Sequence, residues 1–385
     1  MKIGILTLPL HTNYGGILQA YALQTVLERM RHEVSLIETH RKPLKLPLWK
    51  APLSYGKRIL KNISGHPFPI FYEQKVNRET PVVRQHTDKF IDKYIKRRIV
   101  NNYTDVHEND FDAIIVGSDQ IWRPKYFPNI ETAYLDFTES WNIKRVAYAA
   151  SFGTDDWEYT PKQTKECRRL LQSFDAVSVR ENSGVDLCRN HFHVQATHVL
   201  DPTMLLEPED YIKLFEVTGM PKNPGTLLTY ILDETPEKTA LIEKIAKGKG
   251  LVPFRVNSKV ENINIPLKER IQPPVEQWLR GFYDAEFVIT DSFHACVFSI
   301  LFNKPFFVIG NTARGMSRFT SLLSMFGLEN RLIHSNSSIY YETNISWQNV
   351  MSLLNYNRRK SRDFLLKGLN ESNELVQKMT YCFKV

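Results

Sequence analysis

Thr290-Asp291-Ser292-Phe293-His294 lies between the apolar run Phe287–Thr290 and a segment that opens Ala295-Cys296-Val297. A histidine in the first turn of a helix exchanges protons near neutral pH, and the helix N-terminus beside it favours an anion. Asp291 or Ser292 is placed to cap that helix. Gly117-Ser118-Asp119-Gln120-Ile121-Trp122 follows the run Phe111–Val116. Its carboxylate suits acid–base work or a grip on sugar hydroxyls, and Trp122 suits an apolar floor under a sugar ring. Arg180 ends Val177-Ser178-Val179 and fits bidentate capture of a carboxylate or phosphate. Asn13, Gly15 and Gly16 open a helix where the backbone can approach a ligand closely. Arg314 and Arg318, four apart after Pro305–Ile309, are further candidates for phosphate.

The elements that must position these groups alternate. Lys2–Leu8 reads as a buried strand, followed by a loop, a helix from about Ile17 to Met30 and a strand at Glu33–Glu38. Arg145–Ser151 and Asp175–Val179 continue the pattern. Thr160-Pro161-Lys162-Gln163 has the residues of a capped helix start. After Val199–Thr203, read as a hinge, strands at Thr226–Leu232, Leu251–Val256, Phe287–Thr290 and Pro305–Ile309 alternate with helices. The expected fold is α/β: two Rossmann-like, doubly wound domains, 1–201 and 202–357, facing each other across a cleft. A polar helix at about 358–378 follows, within a C-terminal segment 358–385.

The 385 residues carry a net charge of +8. Arg41–Val100 holds 15 Lys and Arg against 4 Asp and Glu, so the excess lies in one insertion. Within it, residues 41–75 mix prolines, lysines and aromatics and read as short helices outside the sheet. Val83–Arg98 reads as a basic amphipathic helix. Cys167, Cys188, Cys296 and Cys382 are far apart and form no CxxC pair, as expected of free thiols in a reducing compartment. No metal site, signal segment or nucleic-acid-binding signature is expected, and the chain is expected to be cytoplasmic.

Asn13-Tyr14-Gly15-Gly16, Gly117 to Trp122, Ser178-Val179-Arg180-Glu181, Leu200-Asp201-Pro202-Thr203 and Thr290 to His294 occur in this order. In that pattern the chain resembles the polysaccharide pyruvyl transferases over roughly residues 1–335. The resemblance implies the glycosyltransferase B type of fold, with the first domain binding the acceptor. It implies phosphoenolpyruvate as donor substrate, no cofactor, and a glycan or lipid-linked oligosaccharide as acceptor. Arg180 and His294 would contact phosphoenolpyruvate, with Asp119 among the catalytic groups. Many members have arginine and glycine where this chain has Ser292 and Ala295, so either one phosphate ligand is missing here or Arg314 or Arg318 replaces it. A sugar-nucleotide glycosyltransferase of the same fold is the alternative. Residues 41–75 are expected to touch the inner face of the membrane.

Overall fold

The computed structural model describes residues 1–310, 315–333 and 344–370. Seven strands form the first sheet: β1 (Lys2–Leu6), β2 (Glu33–Thr39), β3 (Arg97–Val100), β4 (Ala113–Val116), β5 (Lys144–Ala150), β6 (Ala176–Val179) and β7 (Thr197–His198). Their spatial order is β3-β2-β1-β4-β5-β6-β7, and every pair is parallel. The second sheet holds β8 (Leu227–Tyr230), β9 (Pro253–Phe254), β10 (Phe287–Thr290), β11 (Phe306–Ile309) and β12 (Leu332–Ile333), in the order β12-β11-β10-β8-β9, again parallel. Strands β4, β8, β10 and β11 are wholly buried, as continuous apolar runs in parallel sheets require. Strand order reverses between β1 and β4 in one sheet and between β8 and β10 in the other. Ligands of doubly wound sheets bind beyond the strand ends at such points.

One apolar core runs through both halves. Tyr14 stacks on Trp278 at 5.4 Å, and its hydroxyl donates to the Pro273 carbonyl at 2.8 Å. The first helix, Tyr14–Arg29, is therefore wedged into the second half by its opening residue. Thr160 and Gln163 form the expected capping box at the start of Pro161–Leu171.

Three expectations are corrected. Val83–Arg98 is not one helix: Tyr72–Val83 and Gln85–Tyr94 meet at Arg84, and Arg97–Val100 is an edge strand beside β2. Arg97 pairs there with Glu38 and Asp92, and Arg98 with Asp110, partners that periodicity alone does not reveal. The C-terminal helix spans Trp347–Gly368 and begins eleven residues earlier than the sequence suggested; residues 371–378 lie outside the described residues. It crosses back to the first half, where a Cβ on Gly368 would meet Ala176 at 3.1 Å and Val146 at 3.3 Å. Lastly, Val199–Thr203 is no open hinge. It is buried, Leu200 N donates to Ser361 Oγ at 3.0 Å, and Arg358 donates to the carbonyls of Met204 and Leu206.

Cys167, Cys188 and Cys296 are free and buried, and burial pushes each thiol well above its ordinary range; Cys382 is outside the described residues. Among the described residues, no helix is long and apolar enough to cross a membrane.

Candidate active site

Four loops meet where the two switch points face each other: those after β1, β4, β8 and β10. With the helix Ser317–Phe326 they enclose a polar cavity of about 70 Å³ lined by Asn13, Asp119, Gln120, Tyr126, Leu232, Asp291, Ser292, Phe293, His294 and Arg318.

His294 is the second residue of the helix Phe293–Leu301, whose N-cap Ser292 makes no side-chain capping bond. The ring lies against the backbone of the other half: a Cβ on Gly15 would sit 2.0 Å from its Nδ1. Only glycine admits the imidazole there. Nε2 is 3.5 Å from Asp201 Oδ2. Asn13 caps the first helix by accepting from Gly15 N at 3.1 Å, and a Cβ on Gly16 would approach Asp119 Oδ2 at 3.5 Å.

Arg180 is buried between two carboxylates. It donates to Asp201 Oδ2 at 2.9 Å and to Asp119 Oδ1 at 3.2 Å, while its guanidinium lies 4.5 Å over the Phe293 ring. His198 Nε2 is 3.0 Å from the Arg180 carbonyl. Burial opposes the charge on Arg180, but Asp119 and Asp201 outweigh it and raise its pKa. Burial likewise pushes both carboxyls up, and is overcome. Arg180, His294 and Arg318 hold Asp119 below the usual range; His294 and Arg180 do so for Asp201. Arg318 is lowered to about 10, first by burial and then by repulsion from Arg180. An anion entering the cavity would relieve that repulsion. Among the described residues no group of His, Cys, Asp or Glu is placed to hold a metal.

The structure thus gathers Asn13, Gly15, Gly16, Asp119, Arg180, Ser292, His294 and Arg318 at one place. Ser118 lies beneath them, its Oγ 3.0 Å from the Ala149 carbonyl and 3.3 Å from Asp201 Oδ2, its N–H bonded to Gln19. Asp291 lines the cavity, but its oxygens accept from Leu232 N, Asp233 N and Lys238 Nζ, so it shapes the loop after β8. Trp122 is corrected. It is fully buried, stacks on Tyr134 at 5.0 Å and donates to the Ala133 carbonyl, leaving no face for a sugar. An aromatic just past an apolar strand fills the core because burying its ring is worth more than exposing it. Arg314 lies outside the described residues.

Sequence reasoning missed Asp201 as a site residue. Besides Arg180 and His294 it accepts from Thr203 N and Oγ1 at 3.0 and 2.7 Å. The available signal was a lone carboxylate inside the apolar stretch Val199–Leu206. Gln19, which links Ser118 and Thr7, was missed as well.

Two larger cavities adjoin this one. One, about 400 Å³, lies between the halves and shares Asn13 and Leu232. The other, about 870 Å³, is a groove on the first half beside Arg41, Lys42, Asn77, Arg84 and Tyr103, and shares Tyr126. In it Asp88 accepts from both Arg41 and Arg84.

Two doubly wound sheets turning their switch points onto one charged cavity define an α/β enzyme of glycosyltransferase B architecture. A profile of the polysaccharide pyruvyl transferases matches residues 13–312, and the chain belongs to that family, which comprises transferases acting on glycans. No curated protein matches the sequence. Among solved structures the chain is similar to UDP-GlcNAc 2-epimerase from Neisseria meningitidis bound to UDP-GlcNAc, at 8% identity over 99% of this chain and 100% of the other, TM-score 0.46. It is similar also to the UDP-GlcNAc 2-epimerase of Methanocaldococcus jannaschii, at 12% identity over 99% and 100%, TM-score 0.43. Anabaena Alr3699/HepE in complex with UDP gives 12% identity over 98% and 96%, TM-score 0.40. The nucleotide ligands belong to those proteins.

Proposed function

We propose that this chain transfers the pyruvyl unit of phosphoenolpyruvate to a sugar of a cell-surface glycan or its lipid-linked precursor, as a cyclic ketal. The observation that carries the reading is the convergence of His294, Asp119 and Arg318 on one small polar cavity, with Arg180 paired to Asp119 directly behind it. That cavity has room for roughly five waters, which suits a three-carbon phosphate better than a nucleotide. Arg318 supplies the cation that Ser292 does not.

In the proposed reaction His294, oriented by Asp201, protonates the methylene carbon of the donor, so that C2 becomes electrophilic. A sugar hydroxyl adds to C2, and Asp119 takes its proton. The C2–O bond to phosphate then breaks, the phosphate leaves with the proton from Asp119, and a second hydroxyl adds to C2 to close the ketal, its proton restoring His294. Arg180 and Arg318 hold the donor's carboxylate and phosphate and offset charge developing on the leaving group. The acceptor lies in the groove beside Arg84 and reaches the donor past Tyr126.

Incubation with phosphoenolpyruvate and candidate glycans tests this reading. Phosphate release matched by one pyruvyl ketal gained per acceptor supports it. Release of a nucleoside diphosphate from a sugar nucleotide, with none from phosphoenolpyruvate, would establish the glycosyltransferase alternative instead.

A further inference from the structure

The turn Leu48–Lys50 and the helix Ala51–Ile63 bury no residue at all. The helix is held from one side: Tyr55 packs edge-on against Phe71 at 5.5 Å, and Arg58 pairs with Glu73 and donates to the Ile70 carbonyl. The other side faces outward with Trp49, Leu53, Leu60 and Ile63 exposed by 79, 67, 66 and 78%. At about 100° per residue, Trp49, Leu53 and Leu60 fall on one narrow stripe, with Ile63 beside it. Lys50, Lys57 and Lys61 line one edge of that stripe.

A contiguous apolar face of this kind marks an interaction surface. The surrounding charge selects its partner. Residues 48–63 contain no acidic side chain. Arg41, Arg58, Arg84, Arg97 and Arg98 of the same basic insertion are ion-paired, whereas among the described residues Lys50, Lys57 and Lys61 form no salt bridge. Lys50 lies 4.7 Å over the Trp49 ring, a pairing of ammonium and indole suited to a membrane–water boundary.

We infer that Leu48–Ile63 is an in-plane anchor that docks this enzyme on an anionic lipid surface, its apolar stripe in the acyl boundary and its lysines against the headgroups. The groove lies next to it along the chain. Arg41–Leu44 forms one wall, Leu44 exchanges two hydrogen bonds with Asn77, and the chain then enters the anchor. Docking therefore brings the groove's mouth toward the lipid. The docking stands without the proposed reaction; only the delivery of a lipid-linked acceptor rests on it.

The test is flotation of the full chain with vesicles of phosphatidylcholine alone and of phosphatidylcholine with phosphatidylglycerol. Co-flotation with the anionic vesicles alone, a blue shift of tryptophan emission and release at about 1 M salt are expected. Trp49→Glu, or Leu53→Glu with Leu60→Glu, should abolish binding with the melting temperature unchanged. Lys50→Gln, Lys57→Gln and Lys61→Gln together should weaken it about 10²-fold. Failure to bind anionic vesicles at low salt, or binding that these variants leave unchanged, overturns the inference. So does a dimer that Leu53→Glu and Leu60→Glu dissolve while vesicles go unbound, which would make the face a contact between copies. Vesicle binding without turnover of phosphoenolpyruvate would leave the anchor standing and remove the reaction.

Discussion

Asp201 touches two of the site's three basic groups, Arg180 from its own half and His294 from the other. Replacing it with asparagine keeps the shape and removes the charge that both face. Breaking such a buried pair costs about 3–5 kcal/mol. Asp201→Asn should therefore melt earlier and bind donor more weakly, both readable by thermal denaturation and donor titration. His294→Ala belongs to another class: the expected outcome is an intact fold and turnover lower by about 10²–10⁴, measured as phosphate release. His198 adds a pH dependence. Burial holds its pKa below the ordinary ~6.5, so the unfolded chain takes up the proton first and stability falls as pH drops below that value. His198→Gln should flatten the fall in melting temperature between pH 7.5 and 5.5.

At the scale of elements, the site is the sum of what two glycines allow across the cleft. Gly15 leaves room for the His294 ring. Gly315, at φ +87°, would place a Cβ 2.0 Å from the Gly153 carbonyl of the other half. Gly15→Ala is expected to displace the imidazole and cost about 10²-fold in turnover, with little change in melting temperature. Steady-state rates beside a melting curve check both halves of that statement. The strands that deliver Asp119, Arg180 and His294 were legible because β4, β6 and β10 are mostly apolar runs followed within a few residues by a charged or titratable one. The edge strands β3, β7 and β12 were not, since two to four residues are too few to carry a periodic signal. Asp201 escaped for a related reason. Its partners lie 21 and 93 residues further back and further on in the chain, and only the folded arrangement brings them together. Trp122 shows the converse, a local pattern that suggested a ligand where packing had the stronger claim.

Across the whole molecule, the shared core and the returning C-terminal helix make the halves one unit. Val350, Leu354, Leu365 and Leu366 are buried by that helix. At about 1.5–3 kcal/mol each, their loss approaches the net stability of a typical domain, ~5–15 kcal/mol. A chain ending at Ile345 should fail to accumulate in folded form, as judged by its soluble yield and the absence of a cooperative melt. Phosphoenolpyruvate should act in the opposite sense. By offsetting the repulsion between Arg180 and Arg318, it should raise the melting temperature, with stabilisation of about 2.7 kcal/mol at a hundredfold excess over Kd.

The helix Trp347–Gly368 covers β5 and β6 of the first sheet, yet it leaves the ribosome long after those strands. More than 140 residues are synthesised between the end of the first half and this helix. At about 5–20 residues per second that interval is roughly seven to thirty seconds. Throughout it, the nascent first half displays an apolar strip around Val146 and Ala176 that nothing yet covers. Shielding of that strip during translation, released once this helix emerges, is the schedule expected from such a back-crossing.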